Sequence, residues 1–152
     1  MPANFWTLIP AYYGLAIVSA VVPWLNGELL MLSANPLAGS RLEMCALVLA
    51  VSAGQMTGKA AAYWVSRRSA GSQTPRLQRA IERWRVRLQR RPSSALVITF
   101  VSALVGVPPF FVVSIAAGSL KVAFGRFLAV GSAGRLLHFA LVAFVPGWLG
   151  PS

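Results

Sequence analysis

Two adjacent prolines, Pro108 and Pro109, stand in the middle of an otherwise almost wholly apolar stretch that runs from Ser94 to Arg126. A helix that crosses a membrane needs roughly 20 apolar residues, or ~30 Å at ~1.5 Å per residue. By that rise the arms Ala95–Val107 and Phe110–Val122 each offer only about 20 Å of helix. Neither arm crosses alone, and together they overshoot a single crossing. The prolines also remove two helix donors and disfavour helical geometry at the preceding residue. The economical solution is a re-entrant hairpin that dips into the membrane and returns to the side it entered. Broken backbone of this kind survives at membrane depth only when buried in protein or facing a water-filled cavity. One long, proline-kinked transmembrane helix is the competing reading.

Composition agrees with a membrane location. Of 152 residues, 57% are hydrophobic and 11% charged, with a mean hydropathy of +0.66, values that belong to the membrane class. The length suits three or four membrane elements without an added soluble domain. The single cysteine, Cys45, has no partner for an intramolecular disulfide. No Cys or His cluster accompanies it, so neither a metal site nor a catalytic thiol is expected. The N-terminus lacks the basic head and cleavage site of a secretory signal and is expected to be retained.

The net charge of +11 is unevenly spread: fourteen Lys and Arg face Glu28, Glu43 and Glu82, and nine of the fourteen lie between Arg67 and Arg91. Clustered arginine can mark a nucleic-acid binder. In a membrane protein it marks the cytoplasmic loop through the positive-inside rule, and that reading is preferred here, with no nucleic-acid partner expected.

Phe5 to Leu25 is apolar but is interrupted by Pro23 and followed by Asn26-Gly27-Glu28, after which Leu29 to Leu37 resumes the apolar pattern. The arrangement reads as a second re-entrant hairpin broken at Pro23 and Gly27, with a spanning helix plus surface loop as the alternative. Ser40 and Glu43 fit a capping box that opens a full-length spanning helix over Leu42–Ser66. Gly54, Gly58, Ala62 and Ser66 recur every four residues and give a small-residue face suited to close packing, either inside the chain or in a homo-oligomer. Lys59 beside that face either snorkels to the basic end or faces water, because a cation near the bilayer centre is costly.

Thr74 and Pro75 then start an amphipathic helix with Leu77, Ala80, Ile81, Trp84 and Leu88 on one face and Arg76, Arg79, Arg83, Arg87 and Arg90 on the other. This pattern suits anionic lipid headgroups, with Arg76, Arg79, Arg83, Trp84 and Arg87 as the surface contacts. The final span, Phe127–Trp148, carries Arg135 and His138 at i,i+3 spacing. Ionisable groups at membrane depth are functional candidates by default, although a lone His is as readily an interior hydrogen-bonding group. Glu28 is a candidate too, against the ordinary reading of a Glu in a first helical turn that favours the helix dipole. No nucleophile triad, paired carboxylates or phosphate loop is visible, so an enzyme, a cofactor and a metal are not expected.

Ala50-Val51-Ser52-Ala53-Gly54 resembles Ala129-Val130-Gly131-Ser132-Ala133-Gly134, and each phrase follows a proline-broken segment. The expected fold is an all-α integral membrane protein in a single domain. It consists of an inverted repeat, 5–66 and 93–149, around a basic cytoplasmic segment, 67–92. Broken helices in inverted repeats are the plan of many transporters, with substrate sites at the breaks.

These residues resemble the DedA family, also called the VTT or SNARE-associated superfamily, over about Val22–His138. Pro23–Glu28 is similar to its proline-then-glutamate entry into the first hairpin. Gly54, Gly58 and Tyr63 are similar to its glycine–tyrosine motif, and Gly118, Phe127 and Gly134 match its second-half spacing. Gly106 and Val112 stand where well-studied members carry arginines, the second membrane acid of the first half is missing, and His138 replaces the last aromatic. The resemblance implies a protein of the bacterial cell inner membrane that moves lipids between leaflets. Its substrates would be anionic phospholipids or polyprenyl phosphates, handled in a polar groove formed by the two hairpins. In such a groove Lys59 and Arg135 would balance the phosphate and Glu28 would gate or take a proton, with Glu28 and His138 the coupling candidates should exchange need a gradient. The alternatives are a non-transporting membrane scaffold and a proton-coupled exporter of small cations or drugs.

Overall fold

The Ser40–Glu43 capping box starts the longest helix of the chain. In a computed structural model, which describes residues 4–22, 27–69, 74–90 and 93–145, the Ser40 hydroxyl accepts from the Glu43 N–H at 3.2 Å. The Glu43 carboxylate reaches back one residue further than the motif requires, to the Gly39 N–H at 2.7 Å. The helix then runs unbroken from Arg41 to Arg68.

Seven α-helices and one 3-10 turn make up the described residues, with no strand among them. They are α1 (Phe5–Val21), α2 (Gly27–Ala34, continued by the turn Asn35–Leu37), α3 (Arg41–Arg68), α4 (Pro75–Arg90), α5 (Ser93–Val105), α6 (Phe110–Ser119) and α7 (Phe124–Phe144). Two of them, α3 and α7, are long and apolar enough to cross a membrane; α1, α5 and α6 are apolar but shorter. The architecture is that of an all-helical protein consistent with a membrane location.

Two compact units are formed: Met1–Gly58 with Arg135–Ser152, and Lys59–Gly134. Each of the two long helices contributes one segment to each unit, so the division falls inside α3 and α7.

In the first unit α1 packs on α2. Pro23, expected to break this segment, lies outside the described residues. Gly27, expected in the break, is instead the first residue of α2. The reason is packing: a Cβ there would lie 2.7 Å from Gln55 Nε2 and 3.1 Å from Phe139 Cζ. The core gathers Ala16, Met31, Leu47, Val51 and Phe139, and Asn35 Nδ2 donates to the Ala143 carbonyl at 3.3 Å.

In the second unit α5 packs on α6 across Pro108 and Pro109. Helix α5 stops at Val105; Gly106 follows at φ 80°, a left-handed value that glycine adopts at no steric cost. Its N–H still reaches the Ser102 carbonyl at 2.9 Å, and the Ser102 hydroxyl donates to the Pro108 carbonyl. Helix α4 packs against the rest of its unit. Ile81 is buried against Ile115 and Ala116, with Ala62 and Phe111 alongside.

Candidate functional site

The small-residue stripe of α3 is filled from within the chain. In the first unit a methyl on Gly54 would overlap the Tyr13 carbonyl and the Ala16 side chain, and one on Gly58 would meet Ala20 and the Ile17 carbonyl. In the second unit Ser66 donates to the Ile115 carbonyl at 2.8 Å and shares a 2.6 Å hydrogen bond with Ser119. The stripe therefore serves α1 and α6, and the face that sequence offered to a homo-oligomer is used internally.

The absent side chain of Gly27 draws the start of α2 against α3 and α7, and this sets the polar cluster of the first unit. Glu28 follows Gly27 in the first turn of α2. His138 lies on α7, and its Nε2 is 3.2 Å from the Glu28 carboxylate. The imidazole is 11% exposed and the carboxylate 50%, so the pair has a protected and an open side. Arg135, one turn before His138, is half-buried. Its guanidinium lies 5.8 Å from the Phe139 ring centre and within electrostatic reach of Glu28. Three of the four charged or titratable candidates thus meet in one place.

Sequence reasoning missed the neutral members of this cluster. Gln55 is 3% exposed, touches the Gly27 position and donates from Nε2 to the Ser19 hydroxyl at 2.6 Å. Ser52, one turn earlier, is buried and makes no hydrogen bond among the described residues. The helical spacing of Ser52 and Gln55 within an apolar span was the available signal. A carboxylate accepts only, an amide both donates and accepts, and a guanidinium offers a planar fork suited to phosphate. Together they bring a carboxylate, an imidazole and a guanidinium to one polar site.

Lys59 belongs to the second unit. It is 5% exposed and its ammonium sits 5.4 Å from the Phe111 ring centre. Tyr63, Gly118 and Phe127 also meet in this unit: a Cβ on Gly118 would overlap the Tyr63 carbonyl, and Tyr63 stacks on Phe127 at 5.1 Å. Gly134 lies against Ala103 and the Phe100 carbonyl. Pro108 and Pro109 sit between α5 and α6 as expected. Arg76, Arg79 and Arg83 are exposed on α4; the side chains of Trp84 and Arg87 lie outside the described residues.

No family model matches the sequence, no curated protein is similar to it, and no solved structure matches its fold.

Proposed function

We propose that the protein is a membrane lipid transporter of the scramblase or flippase type, moving an anionic phospholipid or a polyprenyl-phosphate lipid between leaflets. The observation that carries this reading is the contact of Glu28 with His138 at 3.2 Å beside Arg135, with the carboxylate half exposed. A charged group that costs several kcal/mol at membrane depth is retained where it does work. Arg135 would bind the headgroup phosphate. Glu28 and His138 would exchange a proton or release Arg135 as the phosphate arrives, while the acyl chains stay in the bilayer.

The DedA-type resemblance belongs to the same proposal, as do the inverted repeat and the re-entrant placement of α1–α2 and α5–α6. Supporting it, the glycines that end the two repeated phrases behave alike, Gly54 against Tyr13 and Ala16, Gly134 against Phe100 and Ala103. An inner-membrane location with residues 67–92 in the cytoplasm completes the reading. Cysteine labelling at Ser40 and Ser72 tests that topology, and equal labelling from one side overturns it.

The deciding experiment is leaflet exchange of a fluorescent phospholipid and of a polyprenyl phosphate in liposomes holding the purified protein, with and without a pH gradient. Exchange of either lipid, lost in Glu28→Gln with the fold intact, is the expected result. A fully active Gln variant would remove Glu28 from the mechanism. Absence of exchange would favour the scaffold reading, for which the exposed Arg76, Arg79 and Arg83 on α4 speak.

A further inference from the structure

We propose that the C-terminal end of α3, together with the α6–α7 turn, forms a headgroup site for anionic phospholipid, built from Arg67, Arg68, Lys121 and Arg126 around Trp64. The inference rests on the membrane reading above and not on translocation.

The site is assembled from a buried tyrosine outward. Tyr63 is fully buried, with its ring against Phe124 at 5.2 Å and Phe127 at 5.1 Å. Its hydroxyl donates to the Val122 carbonyl and accepts from Arg67 Nη1 at 2.6 Å. One phenol thereby fixes the Arg67 guanidinium at the turn between α6 and α7. Trp64, 40% exposed, leans on Phe124 at 5.3 Å. Arg67 lies over its ring at 5.5 Å and Arg68 at 5.9 Å. A guanidinium has five N–H donors in a fixed fork, so anchoring through Tyr63 orients Arg67 without exhausting it.

Two further cations occupy places that local chemistry disfavours. Lys121 has φ 55°, the left-handed region that side-chain-bearing residues seldom adopt. Arg126 lies in the first turn of α7, where the helix dipole prefers an acid. Both side chains are exposed. Glu82 is the sole acid between residues 59 and 134, and it pairs with Arg85 at 3.6 Å. The second unit therefore has no second acid to place beside these four cations, which leaves them suited to an anion.

The anion is a lipid headgroup because of what adjoins the cations. Trp64 and Val65, the latter 65% exposed, place apolar surface directly before Arg67 and Arg68 on a helix long enough to span a bilayer. An aromatic followed by arginines at the end of a span is the layout of a membrane–water interface. A soluble polyanion would have no use for the exposed apolar turn.

The test uses the full chain with Trp64 as its single tryptophan, the other four changed to Phe. It is reconstituted in vesicles carrying brominated phosphatidylglycerol or, at equal mole fraction, brominated phosphatidylcholine. Bromine quenches a tryptophan in contact with its lipid, so the ratio of quenching reports enrichment at Trp64. The phosphatidylglycerol vesicles should quench several-fold more strongly. Arg67→Gln/Arg68→Gln should erase the preference, and Lys121→Gln/Arg126→Gln should reduce it by about fivefold per side chain at most. Tyr63→Phe, which keeps the ring stack and loses the anchor, should weaken it. Equal quenching by the two lipids would overturn the site while leaving the membrane reading. A preference abolished only by Arg76→Gln/Arg79→Gln/Arg83→Gln would move it to α4 and overturn the proposal. Quenching by neither lipid would overturn the membrane reading and the site together.

Discussion

The unit formed by Met1–Gly58 and Arg135–Ser152 carries two cationic side chains, Arg41 and Arg135, and two acids, Glu28 and Glu43, whereas Lys59–Gly134 carries the other twelve cations and Glu82 alone. The entire net charge of +11 resides in the second unit. In the first, Glu28 and Arg135 lie near His138, while Arg41 and Glu43 belong to the first turn of α3. In the second, most lie exposed on α4, at the end of α3 and around the α6–α7 turn. Charges that meet inside a unit can exchange partners one at a time, which suits passage of a headgroup. A surplus at the surface can only be neutralised from outside, which suits holding one. On the proposed function, the difference between the units would be one of task as well as of composition.

Steric substitutions test the comparison most severely. Gly54→Val in the first unit and Gly118→Val in the second both drive a side chain into a carbonyl, and each should cost about 3 kcal/mol through overpacking. Thermal unfolding in detergent measures both. A cost below about 1 kcal/mol at either site would show that its helix pair is looser than described.

The next largest effect concerns function. Arg135→Gln and Glu28→Gln should lower leaflet exchange about tenfold, equivalent to ~1.4 kcal/mol in the barrier. Arg67→Gln and Arg126→Gln should leave it within about twofold. If the second-unit variants proved as damaging as the first, the division into passing and holding would fail.

A methyl added at Gly14 or at Gly125, one in each unit, would meet nothing within 4 Å. Ala at either should raise stability by up to about 0.8 kcal/mol, the gain of helix propensity over glycine. Loss of stability at one would reveal a contact of that face with something outside its unit. The smallest effect is a change of sign. Arg79 and Arg83 are like charges one turn apart on α4, so Arg83→Gln should stabilise the protein by about 0.3 kcal/mol in zwitterionic nanodiscs. In anionic nanodiscs the same change should destabilise it. An identical sign in both would detach α4 from the lipid surface.

Much of this was legible in the sequence because it is punctuated. Ser40 and Glu43 mark where α3 begins, Arg67 and Arg68 where it ends, and Pro108–Pro109 where a helix cannot continue. The alternation of Arg76, Arg79 and Arg83 with Ile81 defines α4, but an apolar face does not say what will cover it, and Ile81 turned out to rest on Ile115 and Ala116. The candidate site was half legible. Glu28, Arg135 and His138 stand out because charge is rare in an apolar chain. Gln55, Ser19 and Ser52 carry no charge and break no pattern. Gly27 was expected in the break, because it lies in the Asn26-Gly27-Glu28 interruption, while its lack of a side chain is used here to let α2 approach Gln55 and Phe139.

The serine at the second bend has a consequence for hydration. A broken helix strands carbonyls that a soluble loop hands to water, and in hydrocarbon each stranded group costs several kcal/mol. Ser102 is fully buried and takes both roles, its carbonyl receiving the Gly106 N–H and its hydroxyl reaching the Pro108 carbonyl. At the Pro108 carbonyl the Ser102 hydroxyl thus stands where a loop in solvent would place a water molecule.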